Sequence, residues 1–221
     1  MSLIFRLFLV LLPWTLKRNA LRRLYGYELH RQSHIGLAWV FPERLLMRAG
    51  ARIDHLTVCK GLQLLSMGER SSIGRLNWIS AHPLDRPPHF AHIAGRKPQL
   101  LIEEHAAITN RHLIDCTEQV RIGRYATVAG FRSQILTHSI DLQAGRQDAK
   151  PIDIGEYTFV GTACTLLGGA RVPHHSVVGA CALVNKPLAE PYTLYAGVPA
   201  TAVSPLDPAM RYFSRTEGFV H

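Results

Sequence analysis

Histidines are the residues of this sequence best suited to chemistry near neutral pH, because imidazole titrates in that range. Four of them lie within, or at the start of, two polar stretches that are rich in Pro, Gly and charge, residues 82–99 and 138–151. They are His82, His89, His92 and His138. A histidine at the root of a loop can take the proton of an attacking hydroxyl, which speeds such reactions by about 10²–10⁴-fold. The histidines thus predict general acid–base chemistry, and the lack of spaced ligand pairs predicts no metal site.

The elements that would position these histidines repeat every six residues. Helices repeat near 3.6 residues and strands near 2, so a strict period of six predicts a parallel β-helix. In that fold an aliphatic side chain points into a narrow prism, and a small residue four places later fits where two faces meet. The aliphatic residues are Ile154, Val160, Leu166, Val172, Val178 and Val184, and the small ones are Thr158, Cys164, Ala170, Ser176 and Ala182.

The same pattern extends upstream less regularly, so the predicted solenoid occupies residues 52–204 and the two polar stretches are loops that leave it. His112, Glu118 and Arg132 stand where a small residue is expected. A repeat fold tolerates such departures, since each coil contacts only its neighbours. The 221 residues therefore form one solenoid domain, with an N-terminal segment at 1–51 and a C-terminal tail at 205–221.

The N-terminal segment is first apolar and then basic. Residues 1–12 are apolar except for Ser2 and Arg6, but they are fewer than the about 20 residues that cross a bilayer. The residues that follow predict a basic amphipathic helix. Through Arg52 the chain has nine basic and two acidic residues, which is +7 of the total net charge of +9.

This charge distribution predicts a membrane partner. We expect residues 1–31 to contact an anionic membrane surface on its cytoplasmic side, since basic segments are retained there. The alternative is a cap that packs on one end of the solenoid, which every solenoid needs. Nucleic acid is not expected as a partner, because the rest of the chain is nearly neutral.

Three motifs in the second half of the chain resemble those of hexapeptide-repeat acyltransferases, in the branch that acetylates sugars and polysaccharides. They are ILTHSID at 135–141, IDIGEYTFVG at 152–161 and VNKPLAEPYTLYAGVPATAV at 184–203. The resemblance implies a left-handed β-helix, a handedness that periodicity alone does not give. It also implies a homotrimer with sites between neighbouring subunits, acetyl-CoA as co-substrate, and no metal.

The resemblance further implies roles for individual residues. His138 matches the catalytic base, because a Thr-His pair precedes the long loop and a Pro-led Ile-Gly repeat follows it. Phe159 stands where the family often has Trp. The residues implied to bind coenzyme A are Phe159, Gly161, Ala163, Gly179, Ala180 and Lys186. The candidates to bind the acceptor, or in the case of the aspartates to orient His138, are Asp115, Asp141, Asn110 and Arg132. His82 and His89 are further candidates to bind the acceptor because they lie in the first polar loop.

Together these features predict a CoA-dependent O-acetyltransferase that moves an acetyl group to a sugar hydroxyl. An acceptor carried on a lipid, such as a surface-polysaccharide intermediate at the cytoplasmic face of the inner membrane, would explain the membrane-facing segment. The alternatives are a cytosolic enzyme that acts on a sugar nucleotide or small molecule, and a solenoid that serves only as an interaction scaffold. A zinc-dependent carbonic anhydrase of the γ type is disfavoured, because the histidines cluster in the loops.

Overall fold

A left-handed parallel β-helix of seven coils makes up most of the chain, in a computed structural model that describes residues 2–85 and 89–220. Residues 86–88 of the first predicted loop and the two terminal residues lie outside the described residues. The helices are α1 (Leu3–Leu11) and α2 (Trp14–Tyr25). The strands are β1 (Glu28–Leu29), β2 (His34–Ile35), β3 (Trp39–Phe41), β4 (Arg44–Met47), β5 (Arg52–Ile53), β6 (Val58–Lys60), β7 (Leu64–Met67), β8 (Ser72–Ile73), β9 (Trp78–Ser80), β10 (Gln99–Ile102), β11 (Ala107–Ile108), β12 (Leu113–Asp115), β13 (Val120–Ile122), β14 (Thr127–Val128), β15 (Gln134–Leu136), β16 (His138–Asp141), β17 (Arg146–Ala149), β18 (Ile152–Ile154), β19 (Phe159–Val160), β20 (Thr165–Leu167), β21 (Arg171–Val172), β22 (Val177–Val178), β23 (Leu183–Val184), β24 (Thr193–Ala196) and β25 (Thr201–Pro205).

Each coil contributes one strand to each of three faces. Face 1 holds β1, β4, β7, β10, β13, β18 and β21, and face 3 holds β3, β6, β9, β12, β15, β20 and β23. Face 2 holds β2, β5, β8, β11, β14, β19 and β22, followed by β24 and by the antiparallel β25. The chain passes from face 1 to face 2 to face 3 in every coil. We number the coils 1 to 7 from the N-terminus, and name the edges between faces 1–2, 2–3 and 3–1.

The six-residue period arises because three consecutive repeats lie on three different faces. The partners across neighbouring coils are therefore eighteen residues apart where no insertion intervenes, as in the registers Ile154↔Val172, Val160↔Val178 and Leu166↔Val184. All six of these side chains are at most 2% exposed, so they fill the prism as a continuous apolar column. The structure confirms the solenoid, its N-terminal helical segment and its two insertions, of which the second is the β16–β17 hairpin.

The small residues lie at the edges, immediately after a residue in the left-handed backbone region. Tyr157, with φ of 52°, precedes the buried Thr158 in this way. Arg132, with φ of 64°, precedes the buried Ser133. The small-residue position in coil 5 is therefore occupied by Ser133, one place later than the period of six predicts, and Arg132 projects outward.

A ladder of polar side chains runs through edge 2–3 and includes His112, which is 2% exposed. The backbone N–H of His112 donates to Asn77 Oδ1 at 2.9 Å, and the backbone N–H of Ser133 donates to His112 Nδ1 at 3.1 Å. The Nε2 atom lies 3.0 Å from Thr109 Oγ1. Burial lowers the pKa of His112 to about 4, so the ring is neutral at pH 7 and its Nδ1 lone pair accepts the Ser133 N–H.

Protonation of His112 should weaken the fold in acid. The folded-state pKa is below the ordinary value of 6.5, so the contribution of the neutral ring is present above that pH and is lost as the pH falls toward about 4. The loss is on the order of 3 kcal/mol. We expect the free energy of unfolding, measured in urea from about pH 7 to about pH 4, to fall further in the native chain than in His112→Asn, whose amide resembles Asn77 one coil earlier. Equal falls in both proteins would contradict this role.

The coils begin at Glu28, well before the Arg52 that the sequence pattern indicates. Coil 1 buries Leu29, Ile35 and Val40 as later coils do, but its aliphatic residues are less evenly spaced. Residues 26–51 thus belong to the solenoid and not to a separate N-terminal segment. Likewise the tail does not leave the solenoid at residue 205, because β25 pairs with β24 and the following residues fold back over edge 1–2.

Aromatic rings stack along edge 1–2, one in each of coils 4 to 7 and one in the turn before β24, and the tail packs on them. The guanidinium of Arg215 lies over the rings of Tyr125 and Tyr157, at 5.8 and 5.5 Å from their centroids. This column fixes the tail against faces 1 and 2 and leaves edge 3–1 uncovered by it. The stacked rings are those of His105, Tyr125, Tyr157, His175 and Tyr192.

Candidate active site

Asp115 and His138 meet where edge 3–1 passes coils 4 and 5. Asp115 ends β12, and the parallel register of β12 with β15 brings Thr137 and His138, which follow β15, alongside it. His138 Nδ1 lies 2.8 Å from Asp115 Oδ2. The side chain of Asp115 is 11% exposed and that of His138 is 44% exposed, so the pair has a buried end and an open end.

The Asp115 carboxylate is held by several donors besides His138. Thr117 Oγ1 donates to Oδ1 at 2.6 Å, and the Thr137 hydroxyl donates to Oδ2 at 2.5 Å. The backbone N–H groups of Thr137 and His138 also donate to Oδ2, at 3.0 and 3.1 Å. Burial by itself would raise the pKa of Asp115, but the hydrogen bonds from His138, Thr117 and Thr137 outweigh it and hold that pKa below its usual value. The carboxylate is therefore ionised and fixed in position.

This carboxylate sets the tautomer of His138. Asp115 Oδ2 accepts the Nδ1 proton, which leaves the lone pair of the neutral ring on Nε2. The hydrogen bond to Asp115 raises the pKa of His138 and burial opposes that shift, with the net effect upward. A half-exposed imidazole with an oriented, more basic Nε2 is what general-base catalysis requires.

The first insertion packs beside this pair. Arg96, 7% exposed, donates through Nη1 to the carbonyl oxygens of Thr117 at 2.6 Å and His82 at 2.8 Å. Its guanidinium also stacks 4.8 Å from the centre of the Phe90 ring. Phe90 in turn contacts His138 edge-on, at 6.1 Å between ring centres. Arg96 therefore fixes the insertion so that Phe90 forms an apolar wall beside the imidazole.

A cleft of about 410 Å³ separates this insertion from the β16–β17 hairpin. His138 and Ile140 alternate with Ser139 along β16, so their side chains share one side of the strand. Ile140 lines the cleft and His138 is the preceding side chain on that side of β16, so the cleft begins near the imidazole, between the two insertions that the sequence singles out. Its walls are formed by His89, His92, Ile140, Gly145, Arg146 and Gln147.

Other predicted residues fall on two different edges. Lys186 follows β23 and is exposed at edge 3–1 in coil 7, two coils beyond His138, or about 10 Å at the usual strand spacing. Between them, Gly168 packs so closely that a Cβ atom there would lie 2.6 Å from the Thr137 carbonyl oxygen. Edge 3–1 thus carries His138, Gly168–Gly169 and Lys186 in successive coils.

Edge 2–3 collects the remaining predicted edge residues, which lie across face 3 from His138. Strands of face 3 are three residues long, so edges 2–3 and 3–1 are about 10 Å apart. Gly161 packs closely against Ala180 of the next coil, because a Cβ atom added to Gly161 would lie 2.8 Å from the backbone nitrogen of Ala180. The structure does not bring these side chains to His138 within one chain, because sequence spacing alone does not tell which edge a residue occupies. They are Asn110, Arg132, Gly161, Ala163, Gly179 and Ala180.

Three more predictions have definite outcomes in the structure. Phe159 lies on face 2, where its ring meets that of Tyr212 in the tail at 5.9 Å, away from both edges. Asp141 accepts hydrogen bonds from the backbone N–H groups of Gln143 and Ala144, so it closes the hairpin turn and does not reach His138. His82 and His89 stack edge-on at 5.4 Å within the insertion beside the pair.

Sequence reasoning did not identify several residues that shape this site. Thr117 had no signal, since a hydroxyl at a coil edge is ordinary in this fold. Phe90 and Arg96 have a signal, since they are an aromatic residue and a cation within a polar insertion. Gly168–Gly169 has one too, since a pair of glycines interrupts the six-residue period. Within residues 2–85 and 89–220, no three His, Cys, Asp or Glu side chains converge in the way that a metal ion would need.

Comparison with solved structures finds the same fold in acyltransferases. An N-acyltransferase of Bacillus cereus, AntD, in complex with dTDP and coenzyme A superposes with a TM-score of 0.56 at 12% identity, over 89% of this chain and 94% of that one. The same enzyme with dTDP and 3-hydroxybutyryl-CoA gives 0.53 at 14% identity, over 89% and 92%. A hexapeptide-repeat acetyltransferase of Vibrio cholerae with acetyl-CoA gives 0.47 at 19%, over 91% and 83%. No protein-family profile and no curated protein sequence matches the chain.

Proposed function

We propose that the protein is a CoA-dependent acyltransferase in which the Asp115–His138 pair activates a hydroxyl group of a sugar. One observation carries this proposal: a half-exposed imidazole, fixed at Nδ1 by a buried carboxylate at 2.8 Å, opens beside a cleft between two insertions. The shared fold supports it, since the AntD structures hold coenzyme A or an acyl-CoA on the same kind of solenoid.

The chemistry needs no group beyond the two substrates and this pair. The acceptor hydroxyl is a weak nucleophile, so His138 Nε2 takes its proton as the oxygen attacks the thioester carbonyl. The resulting imidazolium is stabilised by Asp115, which carries the opposite charge. When the tetrahedral intermediate collapses, the C–S bond breaks, the acyl group stays on the sugar oxygen, and the proton passes to the departing thiolate of coenzyme A.

A homotrimer is part of the proposal. Face 3 and edge 2–3 expose Leu56, Leu76, Trp78, Leu113 and Phe131, each at 40% or more, a series of apolar side chains that suits contact with another copy. The residues of edge 2–3 that the sequence assigns to coenzyme A lie across face 3 from His138 in one chain. A neighbouring copy that set its edge 2–3 against edge 3–1 would bring Gly161, Ala163, Gly179 and Ala180 to the imidazole, with Lys186 positioned for the phosphates.

The acceptor is proposed to be attached to a lipid, at the cytoplasmic face of the inner membrane. The N-terminal helices carry an exposed apolar surface and most of the net charge of the chain, which suits peripheral contact with anionic lipids. No helix among the described residues is long and apolar enough to span a bilayer. A surface-polysaccharide intermediate is the acceptor class that fits both a sugar-directed site and such a surface.

Release of free coenzyme A tests the proposal. Purified full-length protein, given acetyl-CoA and a panel of hydroxyl and amino sugars, is expected to release the thiol with at least one hydroxyl acceptor, as measured with a thiol reagent. Turnover confined to amino sugars would replace O-acylation with N-acylation. Absence of both acetyl-CoA binding and thiol release across the panel would remove the enzyme and leave the solenoid as a scaffold.

A further inference from the structure

The outer face of α1 is an apolar surface without a partner among the described residues. Its side chains lie at positions three and four apart, so they form one stripe along the helix. Their exposed fractions range from 49% to 79%, which is high for large apolar residues in a structure whose core side chains are fully buried. We call this stripe the α1 surface; it consists of Leu3, Ile4, Leu7, Phe8 and Leu11.

The opposite side of the two helices is fixed to the end of coil 1. Leu9 and Leu21 are each 2% exposed and join the solenoid core. Lys17 Nζ donates to the carbonyl oxygens of Gly36 at 2.7 Å and Val10 at 3.1 Å, which ties α2 both to coil 1 and to α1. Burial lowers the pKa of Lys17 to about 8, so this buried link is still mainly charged at pH 7.

Contacts to coil 1 come from around its whole circumference. Arg18 reaches the Arg31 carbonyl oxygen at 2.9 Å near edge 1–2, and Trp14 meets His34 on face 2. Tyr25 packs on Phe41 at the end of face 3. The helices therefore lie across the open end of the prism, and the α1 surface, on their far side, points away along the solenoid axis.

Charge indicates what covers the α1 surface. Arg22 and Arg23 are exposed in the last turn of α2, beside this end of the molecule. Nine basic and two acidic residues lie through Arg52, whereas the rest of the chain is nearly balanced. An apolar stripe flanked by arginines matches a bilayer with anionic headgroups, since each cation near such a surface contributes about 1 kcal/mol. A second copy of the chain would bring like charges together.

We infer that the protein stands upright on an anionic bilayer, with the α1 surface inserted and the solenoid axis along the membrane normal. Asp115–His138 lies at coils 4 and 5, so face 3 places four strand spacings, or about 20 Å, between coil 1 and His138. The two helices add about 10 Å to the height of His138 above the end of α1, and insertion of the α1 surface into the bilayer removes about 5–10 Å of that height. The site therefore acts at a distance from the headgroups, on the outer sugars of a lipid-anchored oligosaccharide. A monosaccharide attached directly to a lipid phosphate would not reach it. This acceptor class rests on the proposed function, whereas the orientation does not.

Energy transfer to a dye in the bilayer surface measures the orientation. Single cysteines are placed at exposed positions of increasing height that lie outside the proposed contact between copies, Leu3, Glu69, Leu142 and Val203, in full-length protein carrying Cys181→Ser, which removes the exposed native thiol. On vesicles of phosphatidylcholine and phosphatidylglycerol, transfer should be strongest from Leu3 and fall in that order. Similar transfer from Glu69 and Val203 would mean that a face of the solenoid lies flat on the membrane, and would overturn the proposal.

Binding to the same vesicles is the second readout, with matched variants. Ile4→Glu with Phe8→Glu should reduce the bound fraction at least tenfold in flotation, because two apolar side chains can no longer insert. Leu142→Glu, which adds a charge at the 89% exposed hairpin tip, should leave it unchanged. If the double variant floats like the native protein, or changes the oligomeric state without changing flotation, the α1 surface is not the membrane contact.

The distance between the acceptor glycan and the membrane can be varied to test this inference separately from the proposed function. A glycan that is acylated in solution is coupled to phosphatidylethanolamine through a short or a long ethylene-glycol spacer and placed in the vesicles. Turnover is expected with the long spacer, and at least tenfold less with the short one. Equal turnover with both would overturn the height argument while the acyltransferase stands. If no glycan is acylated in solution, the acceptor class falls with the proposed function, and the energy transfer still decides the orientation.

Discussion

His138→Ala is expected to lower acyl transfer by about two or more orders of magnitude, because the acceptor hydroxyl loses the group that takes its proton. The fold should survive this change. Asp115 keeps hydrogen bonds from Thr117, Thr137 and the backbone N–H of residue 138, and the imidazole is 44% exposed. Steady-state release of coenzyme A gives kcat, and binding of acetyl-CoA by calorimetry should be nearly unchanged.

Two controls make this result specific. His174→Ala removes another exposed histidine, at edge 1–2 of coil 7, and should leave turnover at the native level. Sedimentation equilibrium should show the same oligomer and urea unfolding a similar midpoint for His138→Ala and the native chain. A rate within a few-fold of native would exclude His138 as the base, and a rate loss that tracks a loss of stability would make it structural.

Asp115→Asn is expected to cause the second largest loss, about 10²–10⁴-fold, through the tautomer of His138. An amide can present its NH₂ group to Nδ1, which favours the proton on Nε2 and removes the lone pair that faces the acceptor. Asp115 is thus a positioning residue that acts through His138. Loss of stability alone would also lower activity, so the diagnostic measurement is the pH dependence of kcat/KM.

The direction in which kcat/KM changes with pH follows from the interaction between Asp115 and His138. The base must be neutral, so the rate rises with pH through the pKa of His138, which the hydrogen bond to Asp115 raises. Without the carboxylate charge this pKa falls, and the acid limb of the remaining activity should move to lower pH. The matched control is Asp141→Asn, since an amide oxygen can still accept from Gln143 and Ala144, and it should keep both rate and profile. An unshifted acid limb in Asp115→Asn would contradict the assignment.

The sequence predicts the fold because the period of the pattern reflects one physical requirement. Every strand must send one side chain into the prism, and each face takes about six residues. The six-residue period from Ile154 to Val184 therefore specifies the three faces without any knowledge of contacts. The polar insertions are visible for the converse reason, since they have no buried side chain to repeat. His138 is recognisable at the start of one of them. Coil 1 and the first strand of coil 2 are missed because their spacing is uneven, although Ile35 and Val40 are buried in the same way.

Tertiary structure alone decides which of the candidate residues meet. Asp115 precedes His138 by 23 residues and is brought to it by the register of β12 with β15, whereas Asp141, three residues from His138, is held in the hairpin turn. Residues such as Gly161 and Lys186, which look alike as repeat positions, lie on opposite edges of face 3. The direction of the α1 surface likewise depends on contacts with coil 1. The physical reason is that periodicity fixes inward and outward positions within a coil, while insertions change the coil length, so the neighbours across coils are set only by strand pairing.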